Sequence, residues 1–268
     1  MFNQASLNLV DNTYDILSKS CDFEQTNKGR LGAILVNNII EIPIVRSTTN
    51  YTNPAQLFGD IHHKLVEYIS SITKSEYNNA MIERYTNEYS KMKFHSDMAL
   101  DINPDSNICI YSCYANTHAN ANTTASSQTN LSYRRLVVKC KLTNEIREYE
   151  LKNNSIIWFS ADVNSKYTHK IVGTGDWLGI TLRLSKTYIN FINDIPYFRG
   201  TSARLTIATE SEKIESLKKR AIENKTINKS VESIYGNINN ITLSNSDCLL
   251  PVNVQFGTTS ITDEIIKC

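Results

Sequence analysis

Phe94-His95-Ser96-Asp97 and, far downstream, His169 followed by Arg183-Leu184-Ser185 are the residues of this chain richest in chemistry. Two imidazoles and one carboxylate are the minimal set that holds Fe(II) on one face and leaves the other open for a co-substrate and dioxygen. On a strand, successive side chains point to opposite faces, so His95 and Asp97 would share a face and bind one metal from adjacent rungs. His169 must then arrive from another strand. Neutral imidazole and ionised carboxylate are both ordinary species near pH 7, so ligation demands no unusual titration. The ordered set predicts an oxygenase with His95, Asp97 and His169 as its catalytic metal ligands.

The run Trp177-Leu178-Gly179-Ile180-Thr181-Leu182-Arg183-Leu184-Ser185 alternates cleanly, with Leu178, Ile180, Leu182 and Leu184 on one face. The other face carries Arg183. A guanidinium on the inner face of a strand needs a partner, because burying it alone is expensive. A dicarboxylic co-substrate would supply one, with Thr181 and Ser185 offering hydroxyls and Gly179 leaving space. A protein Asp or Glu would serve equally well.

These residues need elements to hold them. Period-two segments at 81–85, 108–114, 136–140, 156–160, 170–172 and 177–185 read as strands. Asn53-Pro54-Ala55-Gln56 looks like the cap of a helix whose stripe is Leu57, Ile61, Leu65, Ile69 and Ile72. A second helix opens on the capping box Thr209-Glu210-Ser211-Glu212, buries a stripe of Ile214, Leu217, Ala221 and Ile222, and ends near Asn224. His62 and His63, on the first helix, read as surface residues. Strands framed by helices predict an α+β chain with a β-core and a helical layer. The polar segment 115–132, which contains His118, reads as a surface loop or a lid over the substrate.

Lys+Arg 28 against Asp+Glu 27 leaves a net charge of +1, so no global field draws this chain to nucleic acid or an anionic membrane. At 268 residues one substantial core suffices, and a single domain spanning 1–268 is expected. The opening MFNQASLNLVDN has neither a basic nor an apolar targeting region, and no stretch is long enough to cross a bilayer. The expectation is a cytoplasmic protein with no membrane partner. The six cysteines show no Cys-x-x-Cys spacing, which favours free thiols.

Met81-Ile82-Glu83-Arg84-Tyr85, Phe94-His95-Ser96-Asp97, Asn154-Ser155-Ile156-Ile157-Trp158-Phe159, Thr168-His169-Lys170-Ile171 and Gly179-Ile180-Thr181-Leu182-Arg183 together resemble an AlkB-like member of the Fe(II)/2-oxoglutarate-dependent dioxygenases. The resemblance covers about 78–189. It implies a double-stranded β-helix, or jelly roll, flanked by helices, with Fe(II) on His95, Asp97 and His169. Tyr85 matches the Tyr that hydrogen-bonds 2-oxoglutarate, and Arg183 an Arg that pairs with a co-substrate carboxylate. The implied reaction consumes 2-oxoglutarate and O2 and hydroxylates or oxidatively demethylates a substrate, an alkylated nucleobase, a peptide or a small molecule. Two positions depart from the pattern. Glu83 replaces the family's Asn and would face an anionic co-substrate unless protonated or paired with Arg84 or Arg183. Trp177 replaces a second Arg, so co-substrate binding would lean on Arg183. The segment 46–51, Arg46-Ser47-Thr48-Thr49-Asn50-Tyr51, lies where that family recognises substrate, although a turn leading into the following helix explains it more simply. The rival reading is a cupin-like module that holds Zn²⁺ or no metal and binds a carboxylate without turnover.

Overall fold

The computed structural model describes residues 1–90, 92–115, 133–227, 229–236, 240–253 and 265–266. In chain order the N-terminal part runs β1 (Asn3–Ser6), α1 (Thr13–Leu17), β2 (Glu24–Asn27), β3 (Arg30–Val36), β4 (Ile42–Ile44), β5 (Gln56–Leu57) and α2 (Asp60–Thr73). The central part is β6 (Asn79–Tyr85), β7 (Asn107–Tyr114), β8 (Arg135–Cys140), β9 (Ile146–Glu150), β10 (Ser155–Ser160), α3 (Ala161–Lys166), β11 (Tyr167–Val172) and β12 (Trp177–Arg183). After it come β13 (Thr187–Ile192), β14 (Ile195–Phe198), β15 (Thr206–Ile207), α4 (Glu210–Lys225), α5 (Val231–Tyr235) and β16 (Ile241–Thr242). All six segments read as strands from their period are strands.

The larger sheet has the order β1-β10-β7-β12-β6-β3-β2, with β5 alongside β3. The smaller has the order β11-β8-β9, and His95 extends it by an antiparallel bridge to His169 on β11. From β6 to β12 the chain passes back and forth between two facing layers, β10-β7-β12-β6 and His95-β11-β8-β9, with the β8–β9 hairpin as its one consecutive pair within a layer. That is the winding of a jelly roll. The α+β expectation and the jelly-roll core both hold.

Alternation along the strands divides the larger sheet into two chemistries. Ala80, Ile82, Leu178, Ile180, Leu182, Cys109 and Tyr111 face outward onto Tyr14 and Leu17 of α1 and Leu65 and Ile69 of α2. Each fully buried aliphatic side chain there contributes about 1.5–3 kcal/mol. The opposite face turns toward the smaller sheet. Part of it closes as a second core, in which Tyr85, Trp177, Tyr114 and Phe159 meet Leu136, Val138 and Ile171. The rest stays open as the cavity described below.

Both expected helices form, with corrections. The first begins at Asp60 with Gly59 as its cap, because the residues before it are drawn into other ladders. Gln56 and Leu57 pair with Leu35 and Val36, and the Gln56 amide exchanges two 2.8 Å bonds with the Asp22 backbone. His62 is buried, not on the surface: Nδ1 accepts from Gly59 N at 3.1 Å and Nε2 meets Ser20 Oγ at 2.8 Å. Burial lowers its pKa to about 4. The second helix has the expected Thr209 capping box but the opposite face inward. Ile214, Leu217 and Ile222 are exposed, whereas Ser216, Arg220 and Glu223 are buried.

No helix among the described residues is long and apolar enough to cross a membrane. Cys21, Cys109, Cys113, Cys140 and Cys248 are free thiols; Cys268 lies outside the described residues. The loop-or-lid expectation for 115–132, with His118, also falls outside them except for Ala115.

Candidate metal centre and its cavity

The segment 92–99 makes only one ladder contact, the His95–His169 bridge, with His95 N to His169 O at 3.0 Å and His169 N to His95 O at 2.6 Å. The strand expected under His95 and Asp97 is thus reduced to a single rung. Side chains replace the missing ladder. Asn164 of α3 donates to Asp97 O at 2.7 Å and accepts from Asp97 N at 2.8 Å. From α4, Asn224 accepts from Ser96 N and Glu223 from Ala99 N, each at 2.9 Å. Hence α4 turns its polar face inward, since an irregular buried backbone must find its partners somewhere.

His95, Asp97 and His169 each offer a ligand atom within 4.8 Å of the others. The two rings lie 4.6 Å apart between centroids. His95 Nδ1 lies 3.0 Å from Lys93 O; a carbonyl can only accept, so Nδ1 carries the proton and Nε2 keeps its lone pair. Burial, then the neighbouring His169, lowers the His95 pKa to about 3 and keeps the ring neutral. Burial alone would raise the Asp97 carboxyl. The Arg183 guanidinium and the two imidazoles outweigh it and hold Asp97 well below the usual carboxylate range. Two lone-pair nitrogens and one anionic oxygen converging from two layers suit a divalent first-row metal.

The triad forms part of the wall of a cavity of about 270 Å³. Across the larger sheet its floor is laid out in cross-strand rows. One is Arg30-Tyr85-Trp177-Tyr114, the next Gly32-Glu83-Gly179-Ser112, the next Ile34-Met81-Thr181-Ile110. Of the expected co-substrate contacts, Tyr85, Thr181 and Arg183 do face the cavity. Ser185 does not. It lies beyond the end of β12, where its hydroxyl donates to Ile44 O and accepts from Thr187 N, so it ties loops together.

Arg183 donates from Nε to Asp97 Oδ2 at 2.8 Å, so the protein carboxylate alternative for this Arg is realised, and the carboxylate is the candidate metal ligand itself. That is the only hydrogen bond of its side chain among the described residues, and Arg183 is 5% exposed; its two terminal nitrogens remain for another acceptor. Tyr85 OH donates to Glu83 Oε2 at 2.7 Å. Glu83 pairs with neither Arg84 nor Arg183. Arg84 points to the outer face, over Tyr14 and Phe23, and the partner is Arg30, whose Nε lies 2.8 Å from Glu83 Oε1. Tyr51 OH adds a bond of 3.1 Å to the same oxygen. Segment 46–49 forms part of the cavity wall as well, with Arg46 bound to Asp101, so it does more than lead into a helix.

Arg30 and Asn164 escaped the sequence reading, and Tyr51 entered it only as the end of the 46–51 segment, without its bond to Glu83. Arg30 carried a signal, because Arg30-Leu31-Gly32-Ala33-Ile34-Leu35-Val36 alternates and places an Arg on an inner face just as at Arg183. Asn164 carried none, and the contact of Tyr51 with Glu83 carried none either, since both roles depend on where loops return.

No family model and no curated protein matches this chain. Among solved structures it is similar to OsALKBH1, with TM-score 0.45, 11% identity, and coverage of 68% of this chain and 97% of that one. An oxidoreductase of the 2OG-Fe(II) oxygenase family from Burkholderia pseudomallei gives TM-score 0.39 and 11% identity over 63% and 75%. A Pseudomonas putida prolyl-4-hydroxylase gives 0.39 and 12% over 68% and 91%. By its own two-layer winding and its His-Asp-His set, the chain resembles the Fe(II)/2-oxoglutarate-dependent oxygenase superfamily.

Proposed function

We propose that this protein is an Fe(II)-dependent dioxygenase driven by a 2-oxo acid, 2-oxoglutarate being the co-substrate its motifs imply. The observation that carries this reading is the convergence of His95, Asp97 and His169 within 4.8 Å on the wall of a cavity of about 270 Å³. A metal bound there would supply dioxygen activation coupled to oxidative decarboxylation of the 2-oxo acid, with one oxygen atom delivered to a substrate C–H bond.

The chain's own contribution is orientation and charge. His95, locked by Lys93 O, presents Nε2 to the metal site, and Asp97, fixed at its backbone by Asn164, presents a carboxylate that Arg183 keeps ionised. The free nitrogens of Arg183 stand beside that carboxylate and suit an anionic oxygen of a bound acid. Met81, Ile110 and Ile171 line the same space and exclude water from the reacting end. The other guanidinium groups of the wall are already engaged: Arg30 by Glu83, Arg46 by Asp101, Arg220 by Glu223. Lys93 is the one ammonium among the described residues of the wall, and with no free run of cations among those residues to meet phosphates, the wall favours a small molecule or peptide side chain over a polynucleotide backbone.

The test is turnover of 2-oxo acid with Fe(II), ascorbate and oxygen, following oxygen uptake with 2-oxoglutarate and with neutral-tailed 2-oxo acids, and succinate where 2-oxoglutarate is used. Wild type should turn over and the His95→Ala/Asp97→Ala variant should not. Equal rates in the two proteins would remove the oxygenase reading and leave a carboxylate-binding module.

A further inference from the structure

Glu83 sits at the centre of a built clamp. It is 5% exposed, and its carboxylate takes Arg30 and Tyr51 OH on one oxygen and Tyr85 OH on the other. The strands leave room for this arrangement. Glu83 is flanked in register by Gly32 on β3 and Gly179 on β12. A Cβ at Gly32 would lie 2.9 Å from the Tyr51 hydroxyl, so Tyr51 crosses the sheet over a bare backbone to reach the carboxylate. On the other side the Trp177 ring lies across Gly179, where a Cβ would be 1.9 Å from the indole, and packs tilted against Tyr85 with 4.8 Å between centroids. Burial, and then the negative charge of Glu83, raises both phenols well above their ordinary pKa, so they act as donors.

An Arg with two phenols is what a cavity would use to hold the far carboxylate of a dicarboxylic acid, and here a side chain of the protein already fills it. A second carboxylate brought to the same place would face Glu83 across a short, poorly solvated gap. Like charges in such surroundings repel strongly. Around the clamp the cavity offers the apolar side chains Met81, Met92, Ile110 and Ile171 instead.

We infer that Glu83 is a specificity-determining residue: it occupies the Arg30–Tyr51–Tyr85 clamp with an internal carboxylate and turns the cavity toward a 2-oxo acid whose far end is uncharged. This rests on the 2-oxo-acid reading above and refines it. Glu83 blocks the distal charge of 2-oxoglutarate while leaving the keto-acid end, beside His95, Asp97 and Arg183, unaffected.

The experiment is calorimetric titration of the full chain, loaded with redox-inert Mn(II), with 2-oxoglutarate and with 4-methyl-2-oxopentanoate, whose tail is neutral and branched. Wild type should bind the neutral-tailed acid at least as tightly as 2-oxoglutarate. In Glu83→Gln the freed Arg30 should tighten 2-oxoglutarate about tenfold or more, as expected for a charge-assisted pair, with the neutral acid nearly unchanged. Adding Arg30→Met to Glu83→Gln should abolish that gain. The wild-type comparison tests the idea even if the variants fold poorly. Wild type preferring 2-oxoglutarate by about tenfold, or a ratio that Glu83→Gln leaves unmoved, overturns the inference while the oxygenase reading stands. Failure of both acids to bind any of the proteins overturns both.

Discussion

Arg183 and Asp97 form the most consequential pair in the molecule, since one carboxylate serves an ion pair and a candidate metal site at once. Both side chains are 6% exposed. Removing one partner of a buried pair leaves the other charged and unsolvated, at a cost of about 3–5 kcal/mol. Arg183→Ala should therefore lower the unfolding free energy of the metal-free protein by that amount in urea. Mn(II) should restore a good part of the loss, because a divalent cation on His95, Asp97 and His169 gives Asp97 a new counter-charge. A loss below about 1 kcal/mol, the range of an exposed pair, would contradict the geometry. The same residue shows what was legible from sequence. An Arg on the inner face of an alternating strand announced that it needed an anion; which anion depended on the 95–99 segment folding back across 86 positions. Glu83 is the mirror case, visible as an inward acid whose partner Arg30, 53 positions away, was not.

At the scale of elements, strands were readable because their two faces meet different surroundings: helices outside, the second sheet and the cavity inside. The helices were less so. An apolar stripe predicts which side of a helix is buried only when apolar packing is what the helix is for, and α4 instead satisfies the backbone of the segment carrying the candidate metal ligands with Glu223 and Asn224. Its stripe was consequently assigned to the wrong side. The opening of α2 was misplaced because Gln56 finds a better partner in the Asp22 backbone than in a helix cap. The 95–99 segment is held by its neighbours, so a neighbour should control the metal. Asn164 on α3 makes two bonds to the Asp97 backbone and none to a candidate ligand atom. Asn164→Ala should weaken Mn(II) binding about 10–100-fold, as loss of a group supporting a ligand commonly does. Unchanged affinity would mean that the His95–His169 bridge alone positions Asp97.

Across the whole molecule the balanced composition, +1 at neutral pH, makes generalised charge repulsion small, and acid stability falls to a few buried groups of opposite sign. His62 joins α2 to the segment carrying Ser20, and burial lowers its pKa from 6.5 to about 4. Between those values the unfolded chain binds a proton that the folded chain refuses. The His62 contribution is thus complete above pH 6.5 and is lost as the pH falls toward 4. Asp247 works in the opposite direction. As a residue it is half-buried, but its carboxyl turns inward onto the Thr242 hydroxyl at 2.5 Å, and burial raises its pKa from 3.8 to about 7. Its contribution is complete below 3.8 and lost as the pH rises through 7. In the shared window each group bends the stability curve by at most about 1.4 kcal/mol per pH unit, in opposing senses. Urea unfolding of metal-free protein from pH 4.5 to 6.5 should therefore show a shallower rise of stability with pH in His62→Gln than in wild type, and a steeper one in Asp247→Asn. The double variant should return close to the wild-type slope, since the sites lie in different layers and share no partner. A His62→Gln curve parallel to wild type would mean that the imidazole accepts its proton in the folded protein, and that the bonds to Gly59 and Ser20 do not hold it neutral.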